Sequence, residues 1–180
     1  CAPRLLIADE PTTGLDVTLG YNQNVVNGVA SFNLSYTHVF KGYVIPLPGA
    51  DIDRFAGESG ASKDRATGTL AWNNDRMGFT LVGTYIGGAY LDDQFITGAL
   101  GDPDIHSKNY RQNSRFYLDA QVRFTPGDHY EFFVGANNLL DTSAPRFITG
   151  LPFNFTGTET DAGTYDPIGR RYYAGARIRF

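Results

Sequence analysis

Apolar and polar residues alternate one by one over most of the chain. In 114–125, Phe116, Leu118, Ala120, Val122 and Phe124 fall on one face and Arg115, Tyr117, Asp119, Gln121 and Arg123 on the other. The last ten residues repeat this, with Tyr172, Ala174, Ala176, Ile178 and Phe180 set against Arg171, Tyr173, Gly175, Arg177 and Arg179. A period of two is the mark of a β-strand with one apolar face. Weaker alternation predicts strands over 30–40, 66–74 and 130–138, and 77–90 reads as a strand apolar on both faces, with its orientation open. These six segments predict an all-β, antiparallel fold. Their connections alternate in length: long over 41–65, tight at Asn74-Asp75-Arg76, long over 91–113, tight at Pro126-Gly127-Asp128, and long over 140–169. A soluble sandwich has no physical need for that asymmetry, whereas a membrane barrel has short turns at one rim and long loops at the other. The pattern puts the end of the last strand on the short-turn side.

Composition agrees with strands and narrows the alternatives. The chain has 180 residues, 42% of them hydrophobic, with 13 Phe, 11 Tyr and one Trp beside 21 Gly and one Met. Aromatic and glycine richness favours strands and turns over helices. No apolar run reaches the 18 or so residues a membrane-crossing helix needs, and the first residues lack the basic-then-apolar layout of a signal peptide. A net charge of −4 offers no footprint for nucleic acid. The single cysteine, Cys1, excludes an internal disulfide framework or a cysteine zinc site.

Residues 1–18 read differently from 19–180, and the expected organisation follows that boundary. Leu5-Leu6-Ile7-Ala8 is a short apolar strand running into Asp9-Glu10, with Pro11 after it. In a nucleotide-hydrolysing site such a strand delivers one carboxylate to magnesium and another to the attacking water. With Thr13-Gly14-Leu15-Asp16, the segment resembles the Walker B strand and D-loop of ABC-transporter ATP-binding subunits, which would give Asp9 the magnesium and Glu10 the water. The phosphate-cradling loop of that family is absent from the sequence. Residues 1–18 therefore read as a non-functional remnant joined, as in a chimera, to an unrelated chain.

The later segments carry a second resemblance. Gly175, Ile178 and the terminal Phe180 match the signal by which bacterial outer-membrane proteins are recognised by the barrel-assembly machinery. Val134-Gly135-Ala136-Asn137-Asn138-Leu139-Leu140-Asp141, followed by Tyr165-Asp166-Pro167-Ile168-Gly169-Arg170-Arg171-Tyr172-Tyr173-Ala174-Gly175, resembles the end of TonB-dependent outer-membrane receptors. The resemblance implies about six strands of a larger, 22-stranded barrel in the outer membrane, left incomplete. It also implies import of a scarce ligand, such as a ferric siderophore, vitamin B12 or an oligosaccharide, energised through TonB. The plug and TonB box lie outside these 180 residues, so the segment is not expected to transport alone.

That resemblance gives individual residues their expected roles. Arg115, Tyr117, Asp119, Arg123, Arg171, Arg177 and Arg179 are lumen-facing candidates, lining a ligand path, contacting a plug or simply solvated. Tyr172, Phe124 and Phe180 fit an interfacial girdle near the periplasmic strand ends. Asp92, Asp93, Asp102 and Asp104 bracket a loop, but their spacing is not an EF-hand's and turn formation is the plainer role. His38, His106 and His129 lack ligand spacing, so no metal and no cofactor are expected. Asn33-Leu34-Ser35 and Asn154-Phe155-Thr156 fit a glycosylation pattern only incidentally. No nucleophile constellation appears, so an enzyme is not expected. Two other readings stand beside this one: an ABC ATPase fragment resting on Asp9 and Glu10, and a soluble β-sheet interaction module.

Overall fold

The computed structural model describes residues 4–10, 14–25, 27–45, 48–49, 51–146 and 160–179. Among the described residues there are ten strands: β1 (Arg4–Glu10), β2 (Gly14–Val25), β3 (Gly28–Val39), β4 (Asp64–Asn73), β5 (Met77–Ile86), β6 (Ala89–Tyr90), β7 (Arg111–Gln112), β8 (Arg115–Gly127), β9 (Tyr130–Asn137) and β10 (Arg171–Ile178). Eight of them make one sheet in the order β1-β2-β3-β4-β5-β8-β9-β10, and β6 pairs with β7 in a small separate ribbon. Every pairing in the large sheet is antiparallel. The six expected strands are all present, and β1 and β2 extend the sheet beyond them. Leu15, Val17, Leu19 and Tyr21 alternate with Asp16, Thr18, Gly20 and Asn22, so β2 is a regular period-2 strand that runs through Thr18 and Leu19 without a break.

Cross-strand register assigns every side chain to a face, because residues directly opposite one another point the same way. One row across the sheet is Leu19, Leu34, Gly68, Gly83 and Leu118, and the next is Tyr21, Phe32, Leu70, Leu81, Ala120, Ala136 and Tyr172. The neighbouring polar row is Gly20, Asn33, Thr69, Val82, Asp119. From β2 to β10 one face of the large sheet is thus predominantly apolar, its exceptions Gln23, His38 and Asp64 lying toward the strand ends, and the other is predominantly polar. The open orientation of 77–90 is settled: Phe79, Leu81 and Tyr85 join the apolar face while Thr80, Thr84 and Ile86 join the polar one. The single ionisable carboxylate on the apolar face of β2–β10, Asp64, sits at the strand end, where it accepts a hydrogen bond from the Tyr36 hydroxyl at 2.6 Å and meets His38 Nδ1 at 2.7 Å.

The tight connections explain themselves locally. Val25 pairs with Gly28, leaving a two-residue turn in which Asn27 takes a positive φ of 53°. Gly28 is required there, since a Cβ would stand 2.6 Å from the Asn73 carbonyl and 2.8 Å from the Trp72 indole nitrogen. Asn74 Oδ1 accepts the amides of Arg76 at 2.9 Å and Met77 at 2.6 Å, an Asx turn at the expected place. The third turn starts two residues beyond its expected start: β8 continues to Gly127, which pairs with Tyr130 after a register shift from Phe124.

The long connections all leave from the opposite rim. A small core lies there on the polar side of the sheet: Ile86, Leu91, Ile96, Tyr117 and Tyr165, with Phe95, Ile105, Tyr110 and Ala144 packed against it. Ile86 and Tyr117 occupy polar-face positions at the loop ends of β5 and β8, so the loops fold over that face. Nothing among the described residues covers the other. Tyr172 is 70% exposed, Val134 55% and Leu70 48%.

Candidate functional site

The expected lumen-facing residues all stand on the polar face, but the register divides them into two groups at opposite ends. At the loop end, Tyr117, Asp119 and Arg171 line a cavity of about 420 Å³ together with Thr84, Asn137, Tyr165, Asp166 and residues around them. It forms because the third long connection turns back over the sheet. Asn138 and Asp141 adopt positive φ values of 50° and 56°. The Asn138 side chain closes the turn, Nδ2 donating to the Thr142 carbonyl at 2.9 Å and Oδ1 accepting the Thr142 backbone amide at 2.8 Å, while Asp119 Oδ1 accepts the Asn138 backbone amide at 2.7 Å. The returning chain is tied to the same turn, because Asp141 Oδ1 accepts the Arg170 amide at 3.1 Å and Arg170 Nη1 donates to the Leu139 carbonyl at 3.3 Å. The two segments flanking the third long loop are therefore bonded to one another.

Within the cavity, Arg171 Nη2 donates to Asp166 Oδ2 at 3.4 Å, and Asp166 Oδ1 accepts the Ile168 amide at 3.0 Å. Tyr165 is buried, its hydroxyl 3.4 Å from Gln112 Oε1, and burial pushes its phenol above the usual range. Arg115 lies beside this group with Nε donating to the Ser143 carbonyl at 2.8 Å. Hydroxyls, amides and a guanidinium–carboxylate pair facing an aromatic wall suit hydrogen-bonded recognition of a polar molecule.

The second group lies at the turn end. Arg123, Arg177 and Arg179 converge on Glu131 of β9, which the sequence reading missed. Of the terminal signal residues, Gly175 stands opposite Phe133 on the polar face, with the Phe133 ring filling the place of a Cβ, and Ile178 is exposed on the apolar face; Phe180 lies outside the described residues. Phe124 is at the turn end as expected. Tyr172 is not: it opens β10 directly after the third long connection and so belongs to the loop rim.

A third constellation sits between the first two long connections. The Ser59 amide donates to the Tyr90 carbonyl at 2.8 Å and the Tyr90 amide to the Gly57 carbonyl at 2.9 Å, holding the loops together. Between them lies a cavity of about 440 Å³ bordered by Arg54, Glu58, Lys63, Tyr90, Asp93 and His106. Carboxylate oxygens of Asp53, Glu58 and Asp93 come within 4.8 Å of one another. Burial, and then the charges of Asp92 and Asp93, raise Asp53, and burial pushes Glu58 up to about 7 although it accepts the Asp93 amide at 3.1 Å. A retained proton lets like-charged groups share this space. Asp92, Asp102 and Asp104 do the turn work expected of them: Asp92 Oδ1 accepts the Phe95 amide at 2.6 Å and Asp102 Oδ1 the Asp104 amide at 2.9 Å.

Asp9 and Glu10 fall in the edge strand β1, in register opposite Leu15 and Gly14. The Walker B reading of that segment receives no support from the comparisons with known proteins. No protein-family model and no curated protein matches the chain. Among solved structures, the ferric enterobactin receptor of Pseudomonas aeruginosa is similar over 93% of this chain and 31% of its own length, at 12% identity and a TM-score of 0.45.

Proposed function

We propose that the chain is a transmembrane sheet of an outer-membrane barrel of the TonB-dependent receptor type, serving ligand uptake rather than catalysis. The observation that supports this is the undivided apolar face, exposed from β2 to β10 while the loops gather over the polar face at one rim. In water such a surface far exceeds what monomers normally leave bare, and in lipid it is the required surface. Its composition is graded as a bilayer is. Tyr36, Tyr85 and Phe116 stand toward the loop rim; Tyr21, Trp72, Phe79, Phe124 and Phe132 stand toward the turn rim. Leu19, Leu34, Gly68, Gly83 and Leu118 lie between. Aromatic girdles around an aliphatic belt match the two interfaces and the hydrocarbon. Strands of 8 to 13 residues suit the 9–11 or so that cross a bilayer when tilted.

On this reading the loop-end cavity with Tyr117, Asp119 and Arg171 faces the outside and belongs to the ligand path, and the bilayer covers the apolar face. The barrel-assembly machinery would read Gly175, Ile178 and Phe180, and TonB would act through a plug supplied by other parts of the receptor. β1 and β10 are the edges of the sheet. Further strands must pair with them in the membrane, because unpaired backbone groups are costly in lipid. The chain's one tryptophan, Trp72, lies on the apolar face and reports on all this directly. Reconstituted in bilayers with brominated acyl chains, its fluorescence is expected to be quenched strongly. Unquenched emission, with a monomer stable in detergent-free buffer, would overturn the proposal in favour of a soluble sheet.

A further inference from the structure

We infer that the first long loop is a membrane anchor, its hairpin arm lying in the lipid headgroup layer at the loop rim. This rests on the reading of the apolar face as lipid-covered and carries that contact past the ends of the strands.

The arm is built from the chain that leaves β3 and returns toward β4. Val44 and Asp53 pair antiparallel, the Val44 amide donating to the Asp53 carbonyl at 2.8 Å and the Asp53 amide to the Val44 carbonyl at 2.9 Å. At its base the Phe55 ring occupies the place of a Cβ on Gly42, which would stand 2.6 Å from Phe55 Cε2. Directly opposed residues share a side and the next pair takes the other, so Val44 stands with Asp53, and Ile45 with Ile52 on the reverse. Asp53 turns its carboxylate toward those of Glu58 and Asp93, between the first two loops. Ile45 and Ile52 therefore face away from the loops.

That outward side is apolar and bare. Tyr43 is 62% exposed, Ile45 51% and Ile52 47%. A contiguous apolar patch on a surface loop marks a contact with a partner or a membrane. Continuity with the apolar face selects the membrane. His38 stands on that face at the end of β3, in register with Asp64, and the Phe40 ring meets the His38 ring edge-on with centroids 4.7 Å apart. Phe40 is itself 57% exposed, and Tyr43 follows three residues later, within a reach of about 10 Å. Exposed apolar surface thus runs from the strand ends through Phe40 onto the arm. The arm's charges cancel, Lys41 and Arg54 against Asp51 and Asp53, so it has no net charge with which to recruit a charged partner. Apolar burial beside a tyrosine is the composition of an interfacial element.

The test moves the single tryptophan onto the arm, by Tyr43→Trp with Trp72→Phe in the whole chain, reconstituted in phosphatidylcholine bilayers. Bromines carried near the headgroup end of the acyl chains should remove at least about half of the arm tryptophan's emission, and bromines near the chain ends should remove less, because interfacial elements sit about 5–10 Å into the headgroup boundary. Adding Ile45→Ser with Ile52→Ser should weaken that quenching by at least about twofold, since the apolar area that seats the arm is lost. The same serine pair in the otherwise unchanged chain should leave the quenching of Trp72 as it was, which shows that the sheet is still folded and in place. Raising the salt to 1 M should change nothing, because the contact is not ionic. An arm tryptophan left unquenched in bilayers that quench Trp72 overturns the inference and leaves the membrane reading of the sheet standing, whereas loss of both signals overturns both. Quenching unaffected by the serine pair also overturns it. So does an arm tryptophan shielded from water yet untouched by bromine, which would mean that a protein, or a second copy of the chain, covers the arm.

Discussion

The two faces of the sheet are written by the same strands, one residue out of step, and they are built by opposite rules. On the apolar face many side chains stand outward: Val134 and Phe132 are about half exposed, and Gly68 and Gly83 face each other across β4 and β5, with the Phe116 ring leaning over Gly83 and only an ordinary contact to Leu34 beside Gly68. On the polar face side chains lie down and hold one another. Tyr173 lies over Gly135 to donate to Gln121 Oε1 at 3.0 Å, Phe133 lies over Gly175, and Arg123 lies over Gly78. The difference shows where each face finds its partners. The polar face is tied internally by hydrogen bonds and ion pairs as well as by rings laid across glycines, while the apolar face, with no such polar ties along its middle, leaves much of its surface to its surroundings, which on the proposed reading are lipid.

The sharpest way to break this contrast is a charge at the middle of each face. Leu118→Arg should cost about 2–4 kcal/mol in a bilayer, the range for a charge at the midplane of a lipid-facing strand, and Gln121→Arg on the polar face, which gives up the bond from Tyr173, should cost about 0.5–1.5 kcal/mol. Denaturant unfolding of chain reconstituted in lipid measures both. In a water-exposed sheet Leu118→Arg would carry no such penalty, because its guanidinium would be solvated on that face. Equal costs on the two faces would remove the distinction altogether.

A glycine pair tests the contrast with no charge involved. At Gly135 a new Cβ would run into the Tyr173 ring and stand 2.8 Å from the Ala120 carbonyl, so Gly135→Val should cost about 1–3 kcal/mol of overpacking and break the Tyr173–Gln121 bond. At Gly68 the nearest atom would be Leu34 Cδ1 at 3.7 Å, an ordinary contact, and Gly68→Ala should be near neutral, within about 0.5 kcal/mol. Thermal unfolding of the two variants compares them directly. A polar-face glycine that tolerates valine would mean its aromatic neighbour is not held down.

Much of the fold is legible in the sequence because period-2 alternation is a local property. Phe116 through Phe124, or Tyr172 through Ile178, declare their face without reference to a partner. The strand β2 is equally regular, but Asp9, Glu10 and Asp16 beside and within it read as a nucleotide site and mask it. What alternation cannot supply is longitudinal register between distant strands. It places Arg115, Arg123, Arg171 and Arg177 on one face without separating the loop end from the turn end. That division comes from the connections, since Arg115 and Arg171 directly follow long ones while Arg123 precedes a tight one; what the sequence leaves out is that Arg123 and Arg177 meet on Glu131. The end expected for Tyr172 fails because it overlooks the long connection that directly precedes β10, which puts the start of that strand at the loop end. The Asp53–Glu58–Asp93 cluster joins two loops, and no periodicity links residues that meet only through hydrogen bonds between Ser59 and Tyr90.

The smallest expected effect lies in those loops, and it separates the rim from both faces. Glu58 holds its proton up to about 7, chiefly through burial, against an ordinary value near 4.5. Between those two values the folded loop keeps a proton that the unfolded chain has released, so stability falls as pH rises through this window and is level below and above it. Hydrogen exchange at the Asp93 amide, which donates to Glu58 Oε1, should therefore report more frequent local opening at pH 8 than at pH 5 once the intrinsic base catalysis is divided out. Glu58→Gln should abolish the difference, while amides in β4 and β5 should show none in either protein. A pH response shared by the strands would mean that the loops and the sheet open together, and that the rim is not the separately adjustable part of the molecule.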